Sequence, residues 1–102
     1  MLDIVQLLTA SSAQRASDLH LSAGLAPMIR VDGELKHLDL VVHTHEDIMA
    51  ALQGIMSEAQ WASFAQAMAC DFSFEIVGLS RFRVNVFQHM RGVGVAFRAI
   101  AN

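Results

Sequence analysis

The chain has 102 residues, enough for one compact domain with a single core and too short for two. Hydrophobic residues make up 54% and charged residues 17%, at a mean hydropathy of +0.41, which excludes a disordered or solvating segment. The net charge of −3 is uneven: residues 1–70 hold three basic side chains against eight acids, and residues 71–102 hold four arginines against Asp71 and Glu75. So small a basic excess does not support general nucleic-acid binding, but it can set a few arginines against a specific anion.

Every stretch of about 18 residues carries a charge, and Asp3 stands where a secretory signal would carry Lys or Arg, so neither a membrane span nor a targeting peptide is expected. Cys70 is the single cysteine. It has no mate for a disulfide, a zinc knuckle or a C-x-x-C site, and a reduced, cytosolic setting is expected.

In chain order, Ile4, Leu7 and Leu8 recur at helical spacing and predict a helix ending near Ser11 and Ser12. From Ser17 the period changes to two: Leu19 and Leu21 alternate with Asp18, His20 and Ser22, a half-buried strand closed by Gly24 and Pro27. Met28 to Val31 reads as a strand, Asp32-Gly33 as a two-residue hairpin turn, and Glu34 to Leu40 as the return strand. Thr44 with Asp47, and Ser57 with Gln60, are capping boxes that open two helices, with Ile48, Ala51, Leu52 and Ile55 on one and Trp61, Phe64, Ala65 and Met68 on the other. After Cys70, Phe72, Phe74 and Ile76 alternate with Asp71, Ser73 and Glu75 up to Gly78.

Two strands close the chain. Phe82, Val84 and Val86 alternate with Arg81, Arg83 and Asn85; beyond Arg91-Gly92, Val93, Val95, Phe97 and Ala99 alternate with Gly94, Ala96 and Arg98. With Arg91-Gly92 as the turn, Met90 faces Val93, Val86 faces Phe97, Val84 faces Ala99, Asn85 faces Arg98 and Arg83 faces Ile100. Arg83 and Arg98 are then diagonal neighbours on one face, their α-carbons roughly 7–8 Å apart. The element order predicts an α+β fold: an antiparallel sheet of about six strands with about three helices packed on one face.

Two arginines on a strand face are commonly solvated charge. They also suit an anion, because each guanidinium donates two parallel hydrogen bonds and stays charged, and an anion between them relieves their repulsion. Of the five histidines (His20, His37, His43, His45, His89), only His43 and His45 lie close together in sequence, just before a helix cap, so no metal site is expected; His20, on the polar face of its strand, reads as a surface or interface imidazole. Cys70 reads as a small buried hydrophobe, Asp18 and Asp71 as turn or cap carboxylates, and the six methionines with the Trp61 to Met68 stripe as core. No G-x-x-x-x-G-K-[ST] loop (Walker A), G-x-G-x-x-G or H-E-x-x-H occurs, so the chain is not expected to cleave a nucleotide by itself.

Several segments carry a resemblance: Ala16-Ser17-Asp18-Leu19-His20-Leu21-Ser22-Ala23-Gly24, Pro27-Met28-Ile29-Arg30-Val31-Asp32-Gly33, Asp71-Phe72-Ser73-Phe74-Glu75-Ile76, and Arg81-Phe82-Arg83-Val84-Asn85 through Arg91-Gly92. Together they resemble the PAS-like N-terminal domain of PilT-like type IV pilus retraction ATPases, of the secretion ATPase superfamily; residues 37–69 depart from the pattern. The resemblance implies that residues 1–100 are that domain and that Ala101-Asn102 begin a linker to a C-terminal RecA-like motor carrying Walker A and Walker B. It implies a parent P-loop ATPase that uses ATP and Mg, assembled as a homohexamer and working with the pilus machinery at the cytoplasmic side of the inner membrane, without nucleic acid. The domain would pack on the motor of the next subunit, with Arg83 and Arg98 at the phosphate-contacting positions and Arg81 and Arg91 as second choices. The rival expectation is a free-standing PAS-like ligand-binding or dimerisation module, with an apolar pocket lined by Met28, Trp61 and Phe74.

Overall fold

A computed structural model describes residues 2–100; the expected linker at Ala101-Asn102 lies outside the described residues. Helix α1 (Ile4–Ala13) starts at Asp3, whose carboxylate accepts from the Gln6 N–H at 3.1 Å, and it buries Ile4 and Leu8. Strands β1 (Asp18–Ser22), β2 (Met28–Val31) and β3 (Glu34–His37) follow. The β2–β3 turn has positive φ at both Asp32 (51°) and Gly33 (83°), the backbone for which an Asp-Gly pair is selected.

Strand β3 stops three residues short of the expected Leu40. The Leu38 N–H still donates in register to the Pro27 carbonyl (3.0 Å), but Pro27 has no N–H to return the bond and the ladder ends there. Beyond it Asp39 folds its carboxylate onto the Val41 N–H (3.0 Å) in a local Asx turn. Helices α2 (His45–Leu52) and α3 (Glu58–Ala67) both open with the expected reciprocal capping boxes, Thr44 with Asp47 and Ser57 with Gln60. The chain ends in β4 (Ala69–Ile76), β5 (Ser80–His89) and β6 (Gly92–Ile100).

All six strands form one antiparallel sheet in the order β3-β2-β1-β6-β5-β4. The last strand therefore lies beside the first. Leu19 and Leu21 of β1, Ile29 of β2, Phe82, Val84 and Val86 of β5 and Val93, Val95 and Phe97 of β6 pack with Leu8, Ile48, Leu52 and Phe64 of the helices into one core. The opposite face of the sheet carries the polar side chains of the alternation.

Two expectations need correction. The β5–β6 turn is Met90-Arg91, between paired His89 and Gly92, not Arg91-Gly92. Gly92 takes φ +130° immediately after the turn, where a Cβ would stand 2.8 Å from His45 Nδ1, and the Arg91 N–H closes onto His89 Nδ1 at 3.1 Å. The change moves each pairing by two residues and leaves every side chain on its expected face: Val86 meets Val95, Val84 meets Phe97, and Arg83 meets Arg98 directly. The methionines are not all core either. Met56 is buried, but Met68 is the left-handed cap of α3 (φ 60°) and Met90 tips the hairpin, and both are exposed; in the stripe that ends at Met68, Phe64 alone is buried.

Candidate functional site

The sheet register builds one row across the open face, Leu35, Arg30, Asp18, Arg98, Arg83 and Ser73, one residue from each strand from β3 to β4. Arg83 and Arg98 are directly opposite, which sets their α-carbons about 4.5–5.5 Å apart and their side chains on the same side. Sequence reasoning had them diagonal; the corrected register brings them closer. Among the described residues the Arg83 side chain makes no hydrogen bond or ion pair, and Ser73, Asp71 and Ile100 line a groove of about 290 Å³ with it.

Arg98 is tied down on its other side. Its Nε donates to Asp18 Oδ2 at 3.2 Å while the side chain stays 73% exposed, so both terminal nitrogens remain without a protein partner among the described residues. Asp18 is only 6% exposed although it stands on the open face. Burial works to raise its carboxyl pKa, but the Ser17 hydroxyl bonded to Oδ1 (2.7 Å) and the Arg98 guanidinium together outweigh it, helped by nearby His20, and hold the group below its ordinary value. Asp18 was expected to serve a turn or cap; it is instead the counter-ion in the middle of a sheet row, because β6 pairs with β1. Arg30, on the other flank of Asp18, points away and donates from Nη1 to the Gly33 carbonyl at 2.8 Å.

The second-choice arginines lie elsewhere. Arg81 is on the same face, two residues from Arg83, and pairs with Glu75 at 3.7 Å. Arg91 sits at the hairpin tip, eight residues along the strand from Arg83, roughly 25 Å at strand rise, so Arg91 and Arg83 cannot meet one phosphate group. His45 Nδ1 accepts from the Val93 N–H (3.0 Å) and His89 bonds the Ser22 hydroxyl (2.9 Å), so both imidazoles brace the hairpin. Cys70 is buried opposite Val86, as a small hydrophobe. Among the described residues no three His, Cys, Asp or Glu side chains converge, and no helix is long and apolar enough to cross a membrane.

The pocket expected for a small-ligand module is not formed by its named residues. Met28 is on the open face of β2, level with His37, whereas Phe74 is on the helix face of β4 at the far edge of the sheet and Trp61 is on α3, its ring against Phe64. The sheet itself separates them.

Sequence reasoning missed Ser17, Asp18 and Arg30. The signal was present as Asp18 and His20 alternating with Leu19 and Leu21, but it acquires meaning only once β1 is placed beside β6.

Over 99 residues the chain is 48% identical to the type IV pilus retraction ATPase PilT of Pseudomonas aeruginosa, a match that covers 97% of the chain. It superposes with a TM-score of 0.91 and 31% identity, over 99% of its length, on the crystal structure of the pilus retraction motor PilT with bound ADP. The chain is homologous to the N-terminal region of PilT. It is also 35% identical over 97 residues to a twitching motility protein of Neisseria gonorrhoeae. The type IV pilus ATPase PilU of P. aeruginosa is 29% identical over 99 residues. The ATPase DotB of Legionella pneumophila shares the fold, with a TM-score of 0.84 at 16% identity. The chain spans 29% of the length of PilT and 26% of that of the other two pilus relatives. No protein-family model matches the sequence. The expected α+β sheet with helices on one face is thus the fold of the PilT N-terminal domain.

Proposed function

We propose that this chain is the N-terminal domain of a hexameric type IV pilus retraction ATPase, packing on a neighbouring motor domain and lending Arg83 and Arg98 to the phosphates of its ATP. The observation that carries the reading is the juxtaposition of two guanidinium groups, one unpartnered and one with both terminal nitrogens open, on the exposed face of a PilT-type fold. Like charges this close repel, and the Asp18 carboxylate bonded to Arg98, with Asp71 in the groove beside Arg83, offsets only part of that. A polyanion completes the balance.

The chain lacks Walker A and Walker B, so Mg and ATP would be held by a RecA-like module, and hydrolysis supplies the energy. The arginines of this domain donate to the phosphate oxygens, draw the domain over the nucleotide cleft, and let go when the terminal phosphate leaves, turning chemistry into rotation between domains. The higher identity to PilT than to PilU of the same organism favours the retraction motor. Such a motor would act at the cytoplasmic face of the inner membrane.

The test is ATPase turnover of the full-length motor. Arg83→Ala and Arg98→Ala each lower it, on the order of 100-fold for a lost charge-stabilising donor, with the hexamer intact. Wild-type turnover in both variants rules the phosphate role out.

A further inference from the structure

We propose that Asp18, oriented by Ser17, is a positioning residue that presents Arg98 beside Arg83 with both terminal guanidinium nitrogens free for phosphate; the inference rests on the function proposed above. Ser17 is clamped between two strands, its N–H donating to the Arg30 carbonyl (2.9 Å) and its own carbonyl accepting from the Ala99 N–H (3.0 Å). Its hydroxyl donates to Asp18 Oδ1 at 2.7 Å and lies farther, at 3.4 Å, from the Arg30 carbonyl. The buried carboxylate is thereby held with Oδ2 toward Arg98 Nε.

Without that hold, an arginine that is 73% exposed is free in all its side-chain torsions, and the like charge of Arg83 directly opposite would drive it away. Contact through Nε settles the plane of the guanidinium and leaves the terminal nitrogens for a two-pronged bond. Arg30 does not compete for Asp18, because its guanidinium is taken by the Gly33 carbonyl. An ion pair with one partner 73% exposed adds little to folding, and that gain is small against the cost of burying a carboxylate on an otherwise solvated face.

The experiment is a double-mutant cycle on kcat/KM for ATP in the full-length ATPase. Asp18→Asn keeps the shape and removes the charge; Ser17→Ala, the milder variant, removes only the bond to Oδ1; each is combined with Arg98→Ala, and circular dichroism melting follows folding. Asp18→Asn lowers kcat/KM roughly tenfold through misplacement of a catalytic donor, Ser17→Ala lowers it less, and both losses disappear once Arg98 is already alanine. Undiminished kcat/KM in Asp18→Asn and Ser17→Ala while Arg98→Ala is impaired, or equal losses with and without Arg98, overturns the positioning role and leaves the phosphate reading standing. Unimpaired Arg98→Ala overturns the positioning role together with the share of Arg98 in the phosphate reading, which then stands or falls on Arg83→Ala.

Discussion

Asp18 is the residue where folding and charge meet. Its carboxyl titrates below the ordinary carboxylate value despite burial, because Ser17 and Arg98 bond the ionised form. A group depressed in this way contributes stability that is fully present above the pKa of the unfolded chain, about 3.9, and is lost as pH falls through the lower folded value. Urea midpoints measured from pH 6 to pH 2 therefore drop below about pH 4, and Asp18→Asn removes part of that drop, on the order of 1 kcal/mol after discounting for the exposed partner. If wild type and Asp18→Asn lose stability in parallel over this range, the ion pair contributes nothing to the fold. Asp47 is depressed too, by the Thr44 backbone N–H and hydroxyl in its capping box, so the wild-type curve has a second acid-sensitive component that Asp18→Asn leaves in place.

At the scale of elements, the β5–β6 hairpin decides the site. Its register hangs on Gly92, which combines φ +130° with His45 and Ala23 packed against its α-carbon. A side chain there is strained by the backbone and collides with the imidazole that accepts the Val93 N–H. Gly92→Ala is expected to destabilise by about 1–3 kcal/mol and to speed hydrogen exchange at Val93. Unchanged protection at Val93 would mean that another contact sets the register. Alternation alone identified both strands and the faces of all their residues, because a slip of two positions preserves the face. It could not choose between two neighbouring turns, since that choice depends on His45, a residue of a different element.

The whole molecule is a sheet with helices on one side and charge on the other, closed by pairing the last strand with the first. Its open face has the Arg83–Arg98 pair but no glycine-rich loop or helix terminus to cradle a phosphate chain, so the 102-residue chain alone is expected to bind ATP no more tightly than about millimolar, and more weakly as salt is raised. Calorimetric titration checks this, and micromolar affinity would put the nucleotide site within this domain.

The elements themselves were legible one by one: the Asp32-Gly33 turn, both capping boxes and the strand alternations are local physics, written within a few residues of where they act. The 48% identity to PilT rests on the same linear text. Which strands are neighbours is not local, and so the row from Arg30 through Asp18 and Arg98 to Arg83 could not be read in advance. Asp18 and Arg98 stand eighty residues apart in the chain, and only the closure of the sheet, driven by burial of Leu19, Val95 and Phe97 in one core, makes them a pair.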